Sequence, residues 1–86
     1  MAQWQKLLDR ILRGRADANI HFDDLRGLLM RLGFQLIRIS GSHHIYAKND
    51  IPEIIDIQPL KDGKAKSYQI KQVRMILTVH GLTSVN

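Results

Sequence analysis

The 86-residue chain has no cysteine, two prolines, one tryptophan, two tyrosines and two phenylalanines. Without cysteine there is neither a disulfide framework nor a thiolate metal site, which suits a reducing compartment. No apolar run approaches the roughly 18 residues of a membrane span. The first residues mix acidic and basic side chains inside an amphipathic pattern, unlike a signal peptide. The expectation is a cytoplasmic protein with no membrane partner. Acidic residues are in deficit, 8 against 13 lysines and arginines, for a net charge of +5. Such a surface favours a polyanion, most often nucleic acid. A hydrophobic content of 44% excludes a disordered chain, and 86 residues make one small domain with a thin core.

Periodicity orders the elements. Trp4, Leu7, Leu8, Ile11 and Leu12 recur at helical spacing, with Lys6, Arg10 and Arg13 outside the stripe and Gly14 as its stop. Residues 15–19 read as a short polar link. A second helix presents Leu25, Leu28, Leu29 and Leu32 on one face. His21 stands at its N-cap position, Ile20 can staple against Leu25, and Asp23 and Asp24 suit the helix dipole. Gly27 inside that helix costs up to about 1 kcal/mol relative to alanine, so tertiary packing must hold it.

Three short β-type runs follow: residues 34–40, 43–48 and 53–58. Gly41-Ser42 and Asn49-Asp50 are turn signals between them, and Pro52 limits pairing at the start of the third. Spacings this short favour antiparallel hairpins. After Pro59 comes a polar loop over residues 60–66. Ser67 can then cap a last helix over 68–80, with Ile70, Val73, Ile76 and Leu77 inward and Gly81 at its end. The expected fold is a small α+β domain of order α-α-β-β-β-α, a three-stranded antiparallel sheet with helices on one face. No internal repeat, low-complexity tract or linker interrupts it.

The chemistry concentrates in Gly41-Ser42-His43-His44-Ile45-Tyr46. A glycine turn feeds two imidazoles into a strand, and histidine is the side chain whose ordinary pKa lies nearest neutrality. Successive strand residues point to opposite faces, so His43 and His44 cannot serve one site. If Ile45 faces the helices, His43 faces them too and reaches solvent only at the rim. His44 and Tyr46 would then offer stacking and hydrogen bonding on an open sheet face. Lys61, Lys64, Lys66, Lys71 and Arg74 form the densest basic cluster, opposed only by Asp62, and can track a phosphate backbone. His21 and His80 fall at helix ends and read as local capping or surface groups. Neither a metal nor another cofactor is assigned: adjacent imidazoles diverge, no thiol is available, and the Asp56 carboxylate that could join them has no place fixed by the sequence.

Order and motifs together resemble the HicA-type toxins, also described as YcfA-like messenger-RNA interferases. The matching residues are Phe22-Asp23-Asp24-Leu25, Leu32-Gly33-Phe34 and Gly41-Ser42-His43-His44-Ile45-Tyr46. Gly63-Lys64-Ala65-Lys66 and Tyr68-Gln69-Ile70-Lys71-Gln72-Val73-Arg74 extend the match. Residues 20–80 correspond to the compact family core. Residues 1–19 resemble the extra N-terminal helix of longer members, so 1–86 is expected to be one domain. Compact members often carry a Pro-Arg-His-like segment after the third strand, where this chain reads Gln58-Pro59-Leu60-Lys61. The resemblance implies a double-stranded-RNA-binding-domain-like fold and an endoribonuclease acting on messenger RNA. It also implies His43 as the catalytic general acid or base and a HicB-type antitoxin as partner. The residues themselves leave two other readings open. One is a non-catalytic RNA-binding module on the same surface; the other is a protein-binding domain without RNA activity.

Overall fold

The computed structural model describes residues 2–85, so residues 1 and 86 of the expected domain lie outside it. Helix α1 (Ala2–Arg13) buries Leu7, Leu8 and Ile11, the stripe its periodicity predicts. A 3-10 turn (Asp17–Asn19) leads to α2 (Phe22–Arg31), which buries Phe22, Leu25, Leu28 and Leu29. Then come β1 (Gln35–Ser40), β2 (His43–Lys48), β3 (Ile51–Ile57) and α3 (Ser67–Val79). The three strands form one antiparallel sheet in the order β1-β2-β3. The expected α-α-β-β-β-α order is the observed one. One continuous core joins Leu8 and Ile11 of α1 to Leu25 and Leu28 of α2, Tyr46, Ile55 and Ile57 of the sheet, and Ile70, Val73 and Leu77 of α3.

Helix ends depart from the simple capping pattern. His21 does occupy the N-cap position of α2, but its side chain caps nothing. Instead the Phe22 N–H donates to the Gly63 carbonyl at 2.9 Å, so the loop after β3 satisfies that helix end. Lys66, not Ser67, is the N-cap of α3, and Ser67 is its first helical residue. The Lys66 carbonyl accepts from the Gln69 and Ile70 N–H groups.

The third strand starts two residues before the expected start, at Ile51. Ile51 lies opposite Lys48, and Pro52 sits within the strand, where an edge position tolerates a missing N–H. Register shifts occur between Leu36 and Arg38 and between Tyr46 and Lys48. Both outer strands therefore carry an irregularity opposite β2.

The alternation of β2 is as expected, but the assignment of its faces is reversed. Tyr46 is fully buried, and its hydroxyl accepts a hydrogen bond from Arg26 Nε at 3.1 Å. His44, on the same side, meets the Phe22 ring of α2 edge-on at 4.8 Å between centroids. The helices thus cover the Ser42–His44–Tyr46 side, and Ile45 turns away with His43. The reason is area: a phenol buries more apolar surface than Ile45, and Arg26 removes the cost of its hydroxyl. Tyr46 accordingly offers no open-face stacking platform, and the His44 ring is occupied by Phe22.

Candidate active site

Gly41 opens the hairpin that aims His43. Its φ of 61° lies in the left-handed region, and a Cβ built there would meet nothing within 4 Å. Backbone conformation, not space, calls for glycine at this turn. Ser40 then lies opposite His43, the first residue of β2. The imidazole is about half exposed.

Both ring nitrogens of His43 are engaged. Nδ1 lies 2.9 and 3.0 Å from the two carboxylate oxygens of Asp56. Asp56 is opposite Ile45, so it shares the face of β3 on which His43 lies diagonally. Nε2 lies 3.2 Å from the carboxamide nitrogen of Gln58, one residue beyond β3. Gln58 is buried and makes four further hydrogen bonds, to three residues. Its amide donates to Ser42 Oγ at 3.0 Å and its carbonyl oxygen accepts from Lys66 Nζ and Gln69 Nε2, both at 3.1 Å. Its backbone N–H donates to Gln69 Oε1 at 2.7 Å. Thus β2, β3 and the start of α3 contribute Asp56, His43, Gln58, Gln69 and Lys66 to one connected cluster. A histidine backed by a carboxylate and open to solvent is equipped to accept or deliver a proton.

The other predicted residues divide. Lys66 joins the cluster. Lys64 donates from Nζ to Asn19 Oδ1 at 3.2 Å, while its backbone N–H binds Asp62. Lys61 and Lys71 are exposed. Arg74 is a correction: its guanidinium binds both Asp17 carboxylate oxygens, at 2.9 and 3.1 Å, and the Ile11 carbonyl at 3.0 Å. The Asp17 hydrogen bonds hold its pKa above the ordinary value. A guanidinium spent on fastening α3 to the segment after α1 is not available to a phosphate. His44 Nδ1 donates to the Ser42 carbonyl at 3.1 Å, which fixes that ring beside Phe22. His80 lies 2.8 Å from Glu53 and ties the end of α3 to β3.

A family model described as "HicA toxin of bacterial toxin-antitoxin" matches residues 22–82, more than two-thirds of the chain. The chain belongs to the HicA toxin family. Membership makes it the toxin type of a bacterial toxin–antitoxin pair and implies an antitoxin partner. No curated protein and no solved structure matches it. The HicA match contains every residue of the His43 cluster, while α1 precedes it. No helix among the described residues is long and apolar enough to cross a membrane.

Three members of the cluster escaped the sequence reading in this role. Asp56 entered only as a metal-site carboxylate, and Gln58 and Gln69 only as motif residues with no role assigned. A signal existed for two of them. Folding the β2–β3 hairpin about Asn49-Asp50 brings His43 opposite either Asp56 or Gln58, depending on a two-residue register shift, and both share its face. Gln69 carries no such signal, because only the packing of α3 brings it to Gln58.

Proposed function

We propose that this HicA-family chain is an endoribonuclease toxin that cleaves messenger RNA, with His43 as its general acid–base residue. The observation that carries this reading is the half-exposed His43 ring held by the Asp56 carboxylate at 2.9 Å. The imidazole is aimed by a hairpin turn and a carboxylate rather than being enclosed in the core. Its chemistry needs no nucleophile from outside the RNA. His43 takes the proton of a ribose 2′-hydroxyl, and the 2′-oxygen forms a bond to the adjacent phosphorus. The P–O5′ bond breaks, and the departing 5′-oxygen takes a proton from the imidazolium or from water. The products are a 2′,3′-cyclic phosphate and a 5′-hydroxyl. Asp56 orients the ring and steadies its charge as the proton arrives. The nucleophile is the RNA's own hydroxyl, so this reading is metal-independent and cleavage should persist in chelator.

The RNA surface in this reading consists of Lys61, Lys64, Lys66 and Lys71, without Arg74, His44 or Tyr46. A HicB-type antitoxin would neutralise the toxin by covering the rim of the His43 face. Ile54, 59% exposed two residues before Asp56, is apolar surface for such a contact. The setting is cytoplasmic, where messenger RNA and ribosomes are found.

The test is His43→Ala beside His44→Ala on purified protein with single-stranded RNA in chelator. Loss of a general acid–base group lowers the rate by about 10²–10⁴-fold, and RNA affinity, which rests on cations, should survive. His44→Ala should lose far less activity. Cleavage by His43→Ala at the wild-type rate would remove His43 from the chemistry. RNA binding without cleavage by the wild type would favour the non-catalytic module.

A further inference from the structure

The hydrogen bonds around Gln58 determine which nitrogen of His43 carries the proton. The Gln58 backbone N–H, a group that can only donate, meets Gln69 Oε1 at 2.7 Å. That contact fixes Gln69: the atom there is its oxygen, and its NH₂ points the other way, to Gln58 Oε1 at 3.1 Å. Lys66 Nζ, again only a donor, reaches the same Gln58 oxygen at 3.1 Å and gives an independent check. The Gln58 NH₂ must then be the group that faces Ser42 Oγ and His43 Nε2. An amide nitrogen accepts no hydrogen bond, so His43 Nε2 has to be the acceptor. A neutral ring with a bare Nε2 carries its hydrogen on Nδ1, and there the Asp56 carboxylate waits at 2.9 Å. Every donor in the chain meets an acceptor.

We infer that Gln58 is a positioning residue that holds His43 as the Nδ1–H tautomer, with Nε2 as the basic nitrogen of the site. This deepens the ribonuclease reading and rests on it only for its effect on rate. Gln58 and Gln69 are 8% and 4% exposed, so neither carboxamide can turn over into solvent. A flipped Gln58 would set its NH₂ against the Lys66 ammonium and the Gln69 NH₂, and its oxygen against the bare Nε2. The carboxamide therefore acts as a one-way spacer between a cation and a base. An incoming 2′-hydroxyl replaces the Gln58 N–H at Nε2, and Gln58 keeps its bond to Ser42. Lys66 remains one carboxamide away, placed to face the phosphate whose neighbour has just lost its proton.

The experiment is a long-range ¹⁵N–¹H correlation spectrum of the His43 ring at mildly alkaline pH, on wild type, Gln58→Glu and Gln58→Met, with RNA cleavage measured in parallel. Wild type should show a protonated Nδ1 and a bare Nε2. In Gln58→Glu one oxygen keeps Lys66 and Gln69, and the other replaces the NH₂ with an acceptor. His43 should then carry a hydrogen on both nitrogens, Nδ1 facing Asp56 and Nε2 facing the new carboxylate, and cleavage at saturating RNA should fall by roughly 10²-fold or more for want of a basic nitrogen. Gln58→Met, which presents neither donor nor acceptor, leaves Asp56 to hold the hydrogen on Nδ1, so its ring should keep a bare Nε2 and cleave faster than the glutamate variant. If the glutamate variant does not fold, the wild-type spectrum decides. A wild-type ring protonated at Nε2 overturns the inference, as does a Gln58→Glu ring that keeps a bare Nε2. A Gln58→Glu ring protonated at Nε2 with an unchanged rate removes the positioning role. If wild type shows the assigned tautomer and cleaves no RNA, the tautomer assignment holds and the ribonuclease reading fails.

Discussion

Gly27 of α2 lies directly under the Trp4 ring of α1: a Cβ built on Gly27 would stand 2.3 Å from Trp4 Cη2 and 2.9 Å from Cζ3. The missing side chain is the seat of the indole. Arg31, one turn further along α2, covers the same ring from 5.4 Å. This explains a glycine that helix propensity alone disfavours. Gly27→Ala should gain up to about 1 kcal/mol of propensity and lose more, since overpacking costs typically about 1–3 kcal/mol. The urea midpoint should fall. In a Trp4→Ala background the sign should reverse, because the clash is gone. A Gly27→Ala protein more stable than wild type would show that α1 does not rest on α2 through this contact.

Arg74 and Asp17 tie α3 to the segment after α1, with two charged hydrogen bonds and partly buried side chains. Removing one partner leaves the other charge unpaired in a site that water reaches poorly. Arg74→Ala and Asp17→Ala should each destabilise the fold by roughly 1–3 kcal/mol, the range for hydrogen bonds to charged groups. The double variant should cost clearly less than the two singles added together. Strict additivity in chemical denaturation would mean that the pair contributes nothing as a pair.

Glu53 gives the stability a definite pH signature. Its hydrogen bond with His80 holds its pKa below the ordinary value of 4.5. A depressed carboxyl contributes stability above its unfolded pKa and loses it as pH falls through the folded value. Wild type should therefore melt higher than Glu53→Gln at neutral pH, and the difference should close below about 4.5. Asp50, also depressed by its bond from Lys48, titrates in both proteins and cancels in the comparison. A melting difference that stays constant down to pH 3, about a unit below that range, would assign it to packing instead.

Much of this architecture was legible because apolar spacing and glycine stops agree with each other. Leu7, Leu8 and Ile11, and Leu25, Leu28 and Leu29, are buried as their periods require. His43 stood out from its turn and its chemistry. What the sequence could not rank was the competition between two faces of one strand: Ile45 and Ala47 against His44 and Tyr46. Alternation states that the faces differ, and only the neighbours decide which is inward. Here Phe22 and Arg26 of α2 decide it. Arg74 was misplaced for the same reason. Its position among lysines is local, while its partner Asp17 is 57 residues away. Gln58 and Gln69 are polar residues in ordinary places, and their burial arises only when α3 closes on β3.

That difference among the cations leads to the last prediction, which separates fastening charges from binding ones. Five residues, Lys61, Lys64, Lys66, Lys71 and Arg74, look equivalent in sequence. Lys61 and Lys71 are exposed, and their ammonium groups make no hydrogen bond or ion pair among the described residues. Lys64 and Lys66 each hold one neutral oxygen, a bond that a phosphate can outcompete. Arg74 holds a carboxylate through two bonds and would have to abandon it. Each phosphate contact on a single strand adds about 0.7 to the slope of log affinity against log salt. Lys61→Ala with Lys71→Ala should therefore flatten the slope by about 1.4 if both contact phosphate. Adding Lys64→Ala should flatten it further. Arg74→Lys, which keeps a cation and loses the paired hydrogen bonds to Asp17, should lower stability and leave the slope unchanged. Filter or fluorescence titrations of one RNA across a salt series measure all four proteins. A slope that falls with Arg74 and ignores Lys61 and Lys71 would put the RNA on the α1 side of α3, away from His43.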